Sequence, residues 1–303
     1  MDRPRTKRRT LFGVLTGVAL TAIPVVCPPP VVAQEVGPAD GALVIVGGAM
    51  RDPAIVRRFI ELAGGPDAPI VVIPTAGGGE EYDRFYAGLD QFREQGARNL
   101  TVLHTWDRAE ADSEAFTAPI REAQGVWFPG GRQWRLADVY LDTRTEEELW
   151  NLLGRGGVIG GSSAGATIQG SYLARGDTET NTIMMGDHEE GFGFLRSSAI
   201  DQHLLMRNRQ FDLLEVIEAH PELLGIGIDE NTAIVVQGDR FDVVGQGYVA
   251  IYDHGAMLDS GGRFYFLAPG DRFDLVERKA YRPARELREL GRVERRPWSG
   301  AGG

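Results

Sequence analysis

Cysteine is almost absent from this chain of 303 residues, since Cys27 is the only one. A single thiol excludes an internal disulfide and any metal site built from several cysteines. Lysine is limited to Lys7 and Lys279, and 32 basic side chains stand against 43 acidic ones, for a formal net charge of −11. Because affinity for nucleic acid depends on clustered cations, this balance argues against a nucleic-acid partner. The remaining composition, 43% hydrophobic and 25% charged, is that of an ordinary globular chain and excludes collagen and coiled coil.

The first 33 residues have the pattern of a secretory signal. Five basic side chains within residues 3–9 precede an uncharged run over residues 11–26 and a small-residue cleavage site near Ala33. The run is about 16 residues long, shorter than the roughly 20 that a membrane helix needs. We therefore expect a cleaved signal peptide and export to the periplasm or the outside, without a stable membrane anchor. Paired arginines in the basic region also resemble a twin-arginine signal, and Cys27 would leave with the signal.

Up to about residue 230, patterns of buried strands alternate with amphipathic stretches. Continuous apolar runs at residues 42–46 and 70–73 are typical of parallel strands that are buried on both faces. Residues 55–63 form an amphipathic stretch, and a second helix is expected from about residue 80 to residue 95. This alternation predicts an α/β fold, a three-layer sandwich with a mainly parallel sheet of the flavodoxin-like kind.

Beyond residue 230 the pattern changes to strands and turns. The sequence Gly-Asp-Arg-Phe-Asp-Val-Val at residues 238–244 recurs as Gly-Asp-Arg-Phe-Asp-Leu-Val at residues 270–276. We interpret both segments as turns that enter similar antiparallel strands, so the C-terminal part is expected to be β-rich. Residues 279–303 are arginine-rich and are expected to form a tail, which leaves residues 34–278 as one folded domain.

A serine lies at a strand-to-helix junction that is rich in small residues. Residues 161–165 read Gly-Ser-Ser-Ala-Gly and follow an apolar strand that ends at Gly160. In this context the G-x-S-x-G pattern is typical of a nucleophile elbow, because the tight turn needs small neighbours and the helix N-terminus stabilises negative charge. Ser163 holds the central position, and Ser162 is the rival nucleophile. A glycine-rich turn that binds phosphate is the alternative interpretation.

A serine nucleophile needs a base and a carboxylate that orients it. The available histidines are His104, His188, His203, His220 and His254. His203 lies where polar residues interrupt an apolar segment, and Asp229 and Glu230 follow an apolar strand pattern. The residues alone leave the choice open, because Asp229 followed by His254 would give the chain order of an α/β-hydrolase.

Four motifs, in their order along the chain, resemble the cyanophycinase branch of the S51 serine peptidases. They are Gly-Gly-Arg-Gln at 130–133, the elbow at 161–166, Asp-Gln-His at 201–203 followed by Arg-Asn-Arg at 207–209, and Leu-Gly-Ile-Gly-Ile-Asp-Glu-Asn at 224–231. The resemblance spans residues 42–276 and implies a class I glutamine amidotransferase-like fold, with residues 34–278 as the catalytic domain.

The resemblance also implies roles for individual residues. It makes Ser163 the nucleophile, His203 the general base and Glu230 the third member of the triad. The oxyanion hole would consist of the backbone N–H groups of Gly131 and Ala164. The family's substrate contacts fall on Gln133, Asp201, Gln202, Arg207 and Arg209. No cofactor and no metal are implied, and family members commonly form homodimers.

The implied activity is hydrolysis of a β-linked aspartyl bond through an acyl-enzyme, with cyanophycin or an isoaspartyl peptide as substrate. One position departs from the family, since relatives that degrade cyanophycin carry a further arginine where this chain has Asp212. An α-carboxylate of the polymer would then meet an anion there, although Arg207 and Arg209 can still bind a carboxylate. Two other classes stay open, an α/β-hydrolase-type esterase and a non-catalytic binding protein on the same fold.

Overall fold

The computed structural model describes residues 36–180, 186–254 and 262–284. The strands are β1 (Ala42–Val46), β2 (Ile70–Val72), β3 (Leu100–Val102), β4 (Gly125–Phe128), β5 (Val158–Ser162), β6 (Gly170–Tyr172), β7 (Leu195–Gln202), β8 (Leu224–Ile228), β9 (Thr232–Gln237), β10 (Arg240–Gly245), β11 (Val249–Asp253), β12 (Tyr265–Leu267), β13 (Arg272–Asp274) and β14 (Lys279–Tyr281). The helices are α1 (Pro53–Leu62), α2 (Asp90–Glu94), α3 (Arg108–Ala111), α4 (Glu114–Glu122), α5 (Trp134–Tyr140), α6 (Arg144–Gly154), α7 (Ala164–Thr167) and α8 (Asp212–Ala219).

Nine of the described strands form a large sheet in the order β14-β13-β10-β9-β1-β5-β4-β2-β3. The five strands from β1 to β3 in this order run parallel, while β9, β10, β13 and β14 extend the sheet in antiparallel fashion. Every residue of β1 is buried, as a continuous apolar run predicts for a central parallel strand. The loops at the carboxyl ends of β1, β4 and β5 therefore meet at one edge of the sheet.

A second sheet has the order β12-β11-β8-β7-β6 in the described part of the chain. Its strands β6, β7 and β8 are parallel, and β11 and β12 are antiparallel to them. The sequence pattern did not indicate that β6, β7 and β8 would leave the first sheet. β8 is an apolar run like the parallel strands of the first sheet, while β6 and β7 contain several polar residues, so only the tertiary packing shows that the three strands form one sheet.

Alternating side chains of β1 show how the layers are stacked. Ala42, Val44 and Val46 pack with α1 and α2 on one face of the large sheet. Leu43 and Ile45 point to the other face, into a core that also contains side chains of α4 to α6 and of the second sheet. The outer face of the second sheet packs against α8. The predicted α/β fold is confirmed, and the second sheet with α8 adds layers to the expected sandwich.

The two recurring seven-residue segments enter antiparallel strands, as expected, and these strands pair with each other. In the β10–β13 pair, Arg240 lies opposite Asp274 and Asp242 lies opposite Arg272. The recurring charges therefore face their opposites across the two strands, an arrangement that stabilises cross-strand pairs.

The helix expected over residues 80–95 is wrong for most of its length, since only Asp90–Glu94 is α-helical. The preceding residues form an irregular loop and a 3₁₀ turn. In this loop the Tyr82 hydroxyl accepts a hydrogen bond of 2.8 Å from the Gly79 N–H. The Tyr82 ring also packs edge-on against Tyr86, with ring centres 5.1 Å apart. These contacts outweigh the weak helical pattern.

The ends of the predicted domain are only partly described. The predicted signal peptide over residues 1–33, with Cys27, lies outside the described residues, and export stays a prediction. The first residues of the predicted tail, Lys279–Tyr281, form β14 against β13. Residues 285–303 lie outside the described part. Among the described residues, no helix has both the length and the apolar character needed to cross a membrane.

Candidate active site

Ser163 lies in a strained turn between β5 and α7. Its backbone has φ 57° and ψ −112°, a conformation that non-glycine residues rarely adopt and that is typical of a nucleophile elbow. The turn leaves no space for larger neighbours, because a Cβ added to Gly165 would lie 1.9 Å from the carbonyl oxygen of Phe128. The small residues of the motif are therefore a steric requirement of this turn, as the sequence pattern predicted.

The side chains of Ser163, His203 and Glu230 form a continuous hydrogen-bonded chain. Ser163 Oγ lies 2.9 Å from His203 Nε2, and His203 Nδ1 lies 2.8 Å from Glu230 Oε1. The carboxylate fixes the tautomer, since it accepts the proton of Nδ1 and leaves Nε2 to accept from the serine hydroxyl. Ser163 comes from the large sheet and His203 from the second sheet, so the pair bridges the two.

Backbone carbonyl groups at the end of β1 bind the three segments that carry Ser163, His203 and Glu230. The carbonyl oxygens of Val46, Gly47 and Gly48 accept hydrogen bonds from the N–H groups of Ser163 (3.0 Å), His203 (2.8 Å) and Asn231 (2.8 Å), respectively. Three consecutive peptide units thus set the spacing of Ser163, His203 and Glu230, the residue before Asn231. Sequence reasoning missed this role, although the Gly-Gly pair directly after the first strand was a visible signal.

The surroundings of His203 lower its pKa and so favour the neutral imidazole. Burial lowers the pKa of its imidazole below the ordinary 6.5, and the nearby cations Arg207 and Arg209 lower it further, while the hydrogen bond to Glu230 opposes this shift. The residue is 7% exposed. A neutral imidazole whose Nε2 faces a serine hydroxyl can act as a general base.

The Gly130-Gly131 turn approaches Ser163 closely. A Cβ added to Gly130 would lie 3.7 Å from Ser163 Oγ. Gly131 has φ 148°, and a Cβ there would lie 1.9 Å from the carbonyl oxygen of Ala76, so only glycine fits. The N–H groups of Gly131 and Ala164 donate no hydrogen bond to any other residue in the described ranges. The turn and the start of α7 can therefore present two free donors beside the serine.

Four of the five residues expected to contact substrate are buried and bonded to other parts of the protein. These residues are Gln133, Asp201, Gln202 and Arg209, between 0% and 7% exposed. The Gln133 amide donates to the carbonyl oxygens of Ala174 and Arg175 at 2.7 and 2.9 Å. Arg207 differs, because it is exposed, and its side chain has no ion pair or hydrogen bond to another described residue. It is therefore the member of the set that a ligand can reach.

Sequence reasoning missed Arg175, which is 5% exposed. Its guanidinium binds both oxygens of Asp201, at 2.8 and 3.0 Å, and also contacts Asp212. Asp212 therefore meets a cation of the protein at the position where the family pattern has an arginine. Arg175 stands in a loop with no motif around it, so no sequence signal identified it.

The alternative arrangement with Asp229 and His254 is not formed in the described structure. Asp229 Oδ1 accepts hydrogen bonds from the N–H groups of Leu205 and Met206, at 3.0 and 3.2 Å, and so holds the turn after His203. His254 follows β11 and lines a different cavity, with Leu214, Ile217 and Arg263. Of the candidate bases, His203 is the one within hydrogen-bond distance of Ser163.

The remaining histidines make other contacts. His104 bonds to Thr75, His188 to Asp138, and His220 packs beside Tyr172. Within the residues that the structure describes, no group of three or more histidine, cysteine or acidic side chains has the arrangement of a metal site.

Comparisons with known proteins agree on one family. The sequence model of Peptidase family S51 matches residues 43–244. A cyanophycinase from Geminocystis herdmanii is 32% identical over 265 residues, which cover 80% of this chain and 95% of the relative. A cyanophycinase from Synechococcus elongatus is 36% identical over 223 residues, which cover 70% of this chain and 68% of the relative.

Among solved structures, the crystal structure of a peptidase from an acI-B1 Actinobacterium has the same fold. It superposes with a TM-score of 0.61 and 24% sequence identity, over 78% of this chain and 98% of the other. The resemblance inferred from the four motifs is thus confirmed by the family match and by relatives at 32–36% identity. The chain belongs to peptidase family S51.

Proposed function

We propose that this peptidase is of the serine type, with Ser163 as nucleophile, His203 as general base and Glu230 as the residue that orients the base. The observation that carries the proposal is the unbroken hydrogen-bonded chain through these side chains, 2.9 and 2.8 Å long at its two links. The strained backbone of Ser163 adds support, since strain of this kind is concentrated at functional sites.

The reaction begins when Ser163 Oγ attacks the carbonyl carbon of the scissile amide. His203 Nε2 takes the hydroxyl proton, and the carboxylate of Glu230 stabilises the imidazolium that forms. His203 then gives the proton to the amide nitrogen as the C–N bond breaks, which releases the amine and leaves an acyl-enzyme. A water molecule, deprotonated by His203, attacks the ester and restores the serine.

The oxyanion of each tetrahedral intermediate would bind to the N–H groups of Gly131 and Ala164. Donors that are fixed before the reaction stabilise this developing charge without further reorganisation. The steric constraint on Gly131 supports the assignment, because the Ala76 carbonyl holds the turn in place beside Ser163.

The substrate we propose is a β-linked aspartyl peptide such as β-Asp-Arg or another isoaspartyl dipeptide. The relatives that carry the name cyanophycinase support this class. The exposed guanidinium of Arg207 is available to bind the free α-carboxylate that a β-linkage leaves beside the scissile bond. With Arg209 buried and Asp212 paired to Arg175, one accessible arginine of the set remains for this purpose.

The first test is covalent labelling of the purified protein by a fluorophosphonate, with analysis of the labelled peptide by mass spectrometry. We expect stoichiometric labelling at Ser163 and none in Ser163→Ala. Ser162→Ala is the matched control and should still be labelled. Labelling of Ser163→Ala at the wild-type rate would remove Ser163 from the mechanism.

The second test compares β-Asp-Arg release from cyanophycin, cleavage of isoaspartyl dipeptides and cleavage of α-linked peptides of the same composition. The proposal expects β-linked substrates to have the higher kcat/KM. A preference for the α-linked peptides would overturn the proposed specificity and leave the serine mechanism standing.

A further inference from the structure

A cluster of buried charges lies beside the strand that ends at His203. Its members are Arg175, Asp201, Arg209 and Asp212. Asp201 is 0% exposed and Arg175 is 5% exposed, while the side chain of Asp212 keeps 34% of its surface. Two cations and two anions make the cluster formally neutral. Burying charges is unfavourable unless each is paired, so every member depends on the others.

Arg175 is the centre of this cluster. Its Nε and Nη2 bind the two oxygens of Asp201 at 2.8 and 3.0 Å, which is the bidentate geometry that only arginine provides. The same Nη2 contacts Asp212 at the start of α8. Arg209 completes the arrangement, since its Nη1 lies 3.6 Å from Asp201 Oδ1 and donates to Gln202 Oε1 at 2.9 Å.

The position of Asp201 links the cluster to the base. Asp201 is the second-last residue of β7, and His203 follows two positions later with φ 55°, outside the strand. Fixing the Asp201 carboxylate therefore fixes the point from which the chain turns to present the imidazole. A sideways displacement of Asp201 would therefore change the distance between His203 Nε2 and Ser163 Oγ.

Arg175 is also linked to the opposite side of the site. The carbonyl oxygens of Ala174 and Arg175 accept both N–H donors of the Gln133 amide. Gln133 lies two residues after Gly131, the proposed oxyanion donor. Arg175 itself has φ 59°, a conformation that non-glycine residues keep only where the surroundings hold them. One residue thus contacts both the segment that carries the donor and the strand that carries the base.

We propose that Arg175 is a positioning residue for the reaction, which fixes His203 through Asp201, and that Asp212 is its second counter-ion and not a substrate contact. The inference rests on the proposed function, because it concerns the geometry of that same triad. It also assigns to Gln133, Asp201 and Arg209 a part in supporting the site, through their contacts with other residues of the protein.

The test uses Arg175→Lys, which keeps the charge and cannot form the two-pronged contact. Its matched control is Arg272→Lys, because Arg272 makes the same kind of contact with Asp242, at 2.7 and 3.2 Å, on the exposed surface between β13 and β10. Three quantities are measured. The first is the rate of Ser163 labelling by diisopropyl fluorophosphate, which needs no peptide recognition, and the others are kcat and KM for a β-Asp-Arg dipeptide.

We expect Arg175→Lys to lower both the labelling rate and kcat by about 10- to 100-fold, because a misplacement of about 1 Å can cost 100-fold. KM should stay within about threefold, since uniform binding is unaffected. Arg272→Lys should match the wild type in all three quantities. Asp212→Asn should lower the labelling rate less than Arg175→Lys does and leave KM at the wild-type value, because it removes a counter-ion of Arg175 and no substrate contact.

A wild-type labelling rate in Arg175→Lys, or a raised KM with an unchanged kcat, would overturn the positioning role. Failure of the proposed function looks different, because the wild-type protein itself would then not be labelled at Ser163. If Arg175→Lys unfolds at the assay temperature, the double variant Arg175→Met with Asp201→Asn replaces it. That pair removes one cation and one anion, so the cluster stays formally neutral with Arg209 and Asp212, and the variant should still show the slow labelling. Rapid labelling would equally reject the proposal.

Discussion

The two halves of the candidate active site are held in place by different physical forces. The elbow that carries Ser163 is fixed by contacts between backbone atoms, since Gly165 and Gly131 leave no space for a methyl group. The segment that carries His203 is fixed by buried charges, because Asp201 is fully buried and paired with Arg175. Ser163 is thus constrained by short-range repulsion, and we call this part of the site the steric half. His203 is constrained by ion pairs between segments distant in sequence, and we call this part the ionic half.

The two kinds of constraint predict different responses to substitution. A steric constraint tolerates no added atom but is insensitive to charge and pH. An ionic constraint tolerates small changes in volume, whereas loss of one partner leaves an uncompensated buried charge, at a cost of about 3–5 kcal/mol. The halves meet at the end of β1, where consecutive carbonyl groups bind the N–H groups of Ser163 and His203.

The largest expected effect concerns the base itself. His203→Ala should lower kcat by about 10⁶-fold, because loss of the base from a serine triad removes the attack step almost completely. His254→Ala is the matched control and should leave kcat unchanged, because this exposed side chain lines a different cavity. Steady-state assays on a β-Asp-Arg dipeptide measure both. Activity that survives in His203→Ala and disappears in His254→Ala would reverse the assignment.

The carboxylate that binds His203 Nδ1 is probed next, through Glu230→Gln. The amide keeps the shape of the side chain but no longer stabilises an imidazolium, and we expect kcat to fall by about 10⁴-fold, by analogy with the loss of the carboxylate in other serine triads. Glu222→Gln, an exposed carboxylate beside His220, is the control. The two variants should have equal melting temperatures if Glu230 acts in catalysis alone. A fall of less than tenfold would contradict its place in the triad.

The steric half is probed by Gly131→Ala. The added Cβ would collide with the Ala76 carbonyl, so the turn must move away from Ser163, and we expect kcat to fall by about 10²- to 10³-fold, the usual effect of losing one oxyanion donor. Gly154→Ala is the control, because a Cβ at this last residue of α6 meets no atom within 4 Å. The free energy of unfolding of Gly154→Ala should equal or exceed that of the wild type. Equal kcat values in the two variants would show that the turn does not supply a donor.

The smallest expected effect is a shift of the pH profile. His203 acts as a base only when neutral, so the acid limb of kcat/KM should lie below the ordinary histidine value of 6.5, in the direction that burial lowers its pKa. Replacing Arg207 by Gln removes a cation that lowers this pKa, so the pKa should rise and the limb should move to higher pH. Arg196→Gln, on β7 but absent from the charges that affect His203, is the control. An unmoved limb in Arg207→Gln would show that its charge does not reach the imidazole.

Much of the steric half could be predicted from the sequence. Local repulsion depends on residues that are adjacent in the chain, and the small residues around Ser163 therefore indicate the elbow directly. The apolar runs that became β1 and β2 were equally clear. The helix expected over residues 80–95 failed because contacts such as that between Tyr82 and Gly79 are not contained in a periodic pattern.

The roles of the ionic half could not be predicted in the same way. Family resemblance identified Gln133, Asp201 and Arg209, but not the contacts that they make with other groups of the protein. No sequence pattern identified Arg175, because its contacts are with Asp201 and Asp212, 26 and 37 positions further along the chain. From the sequence, Asp212 is an anion where the substrate carboxylate is expected, and its pairing with Arg175 is visible only in the fold.

The family, the α/β class and the strained serine turn follow from the sequence, since each depends on motifs or on contacts between neighbouring residues. The fold was needed to show that His203 and not His254 faces Ser163, that the chain forms a second sheet, and that Arg175 and Asp212 compensate each other. The two groups differ in the distance along the chain over which the interactions act. Backbone sterics act over a few bonds and are recorded in local sequence, while the burial and pairing of charges depend on which distant segments the fold brings together.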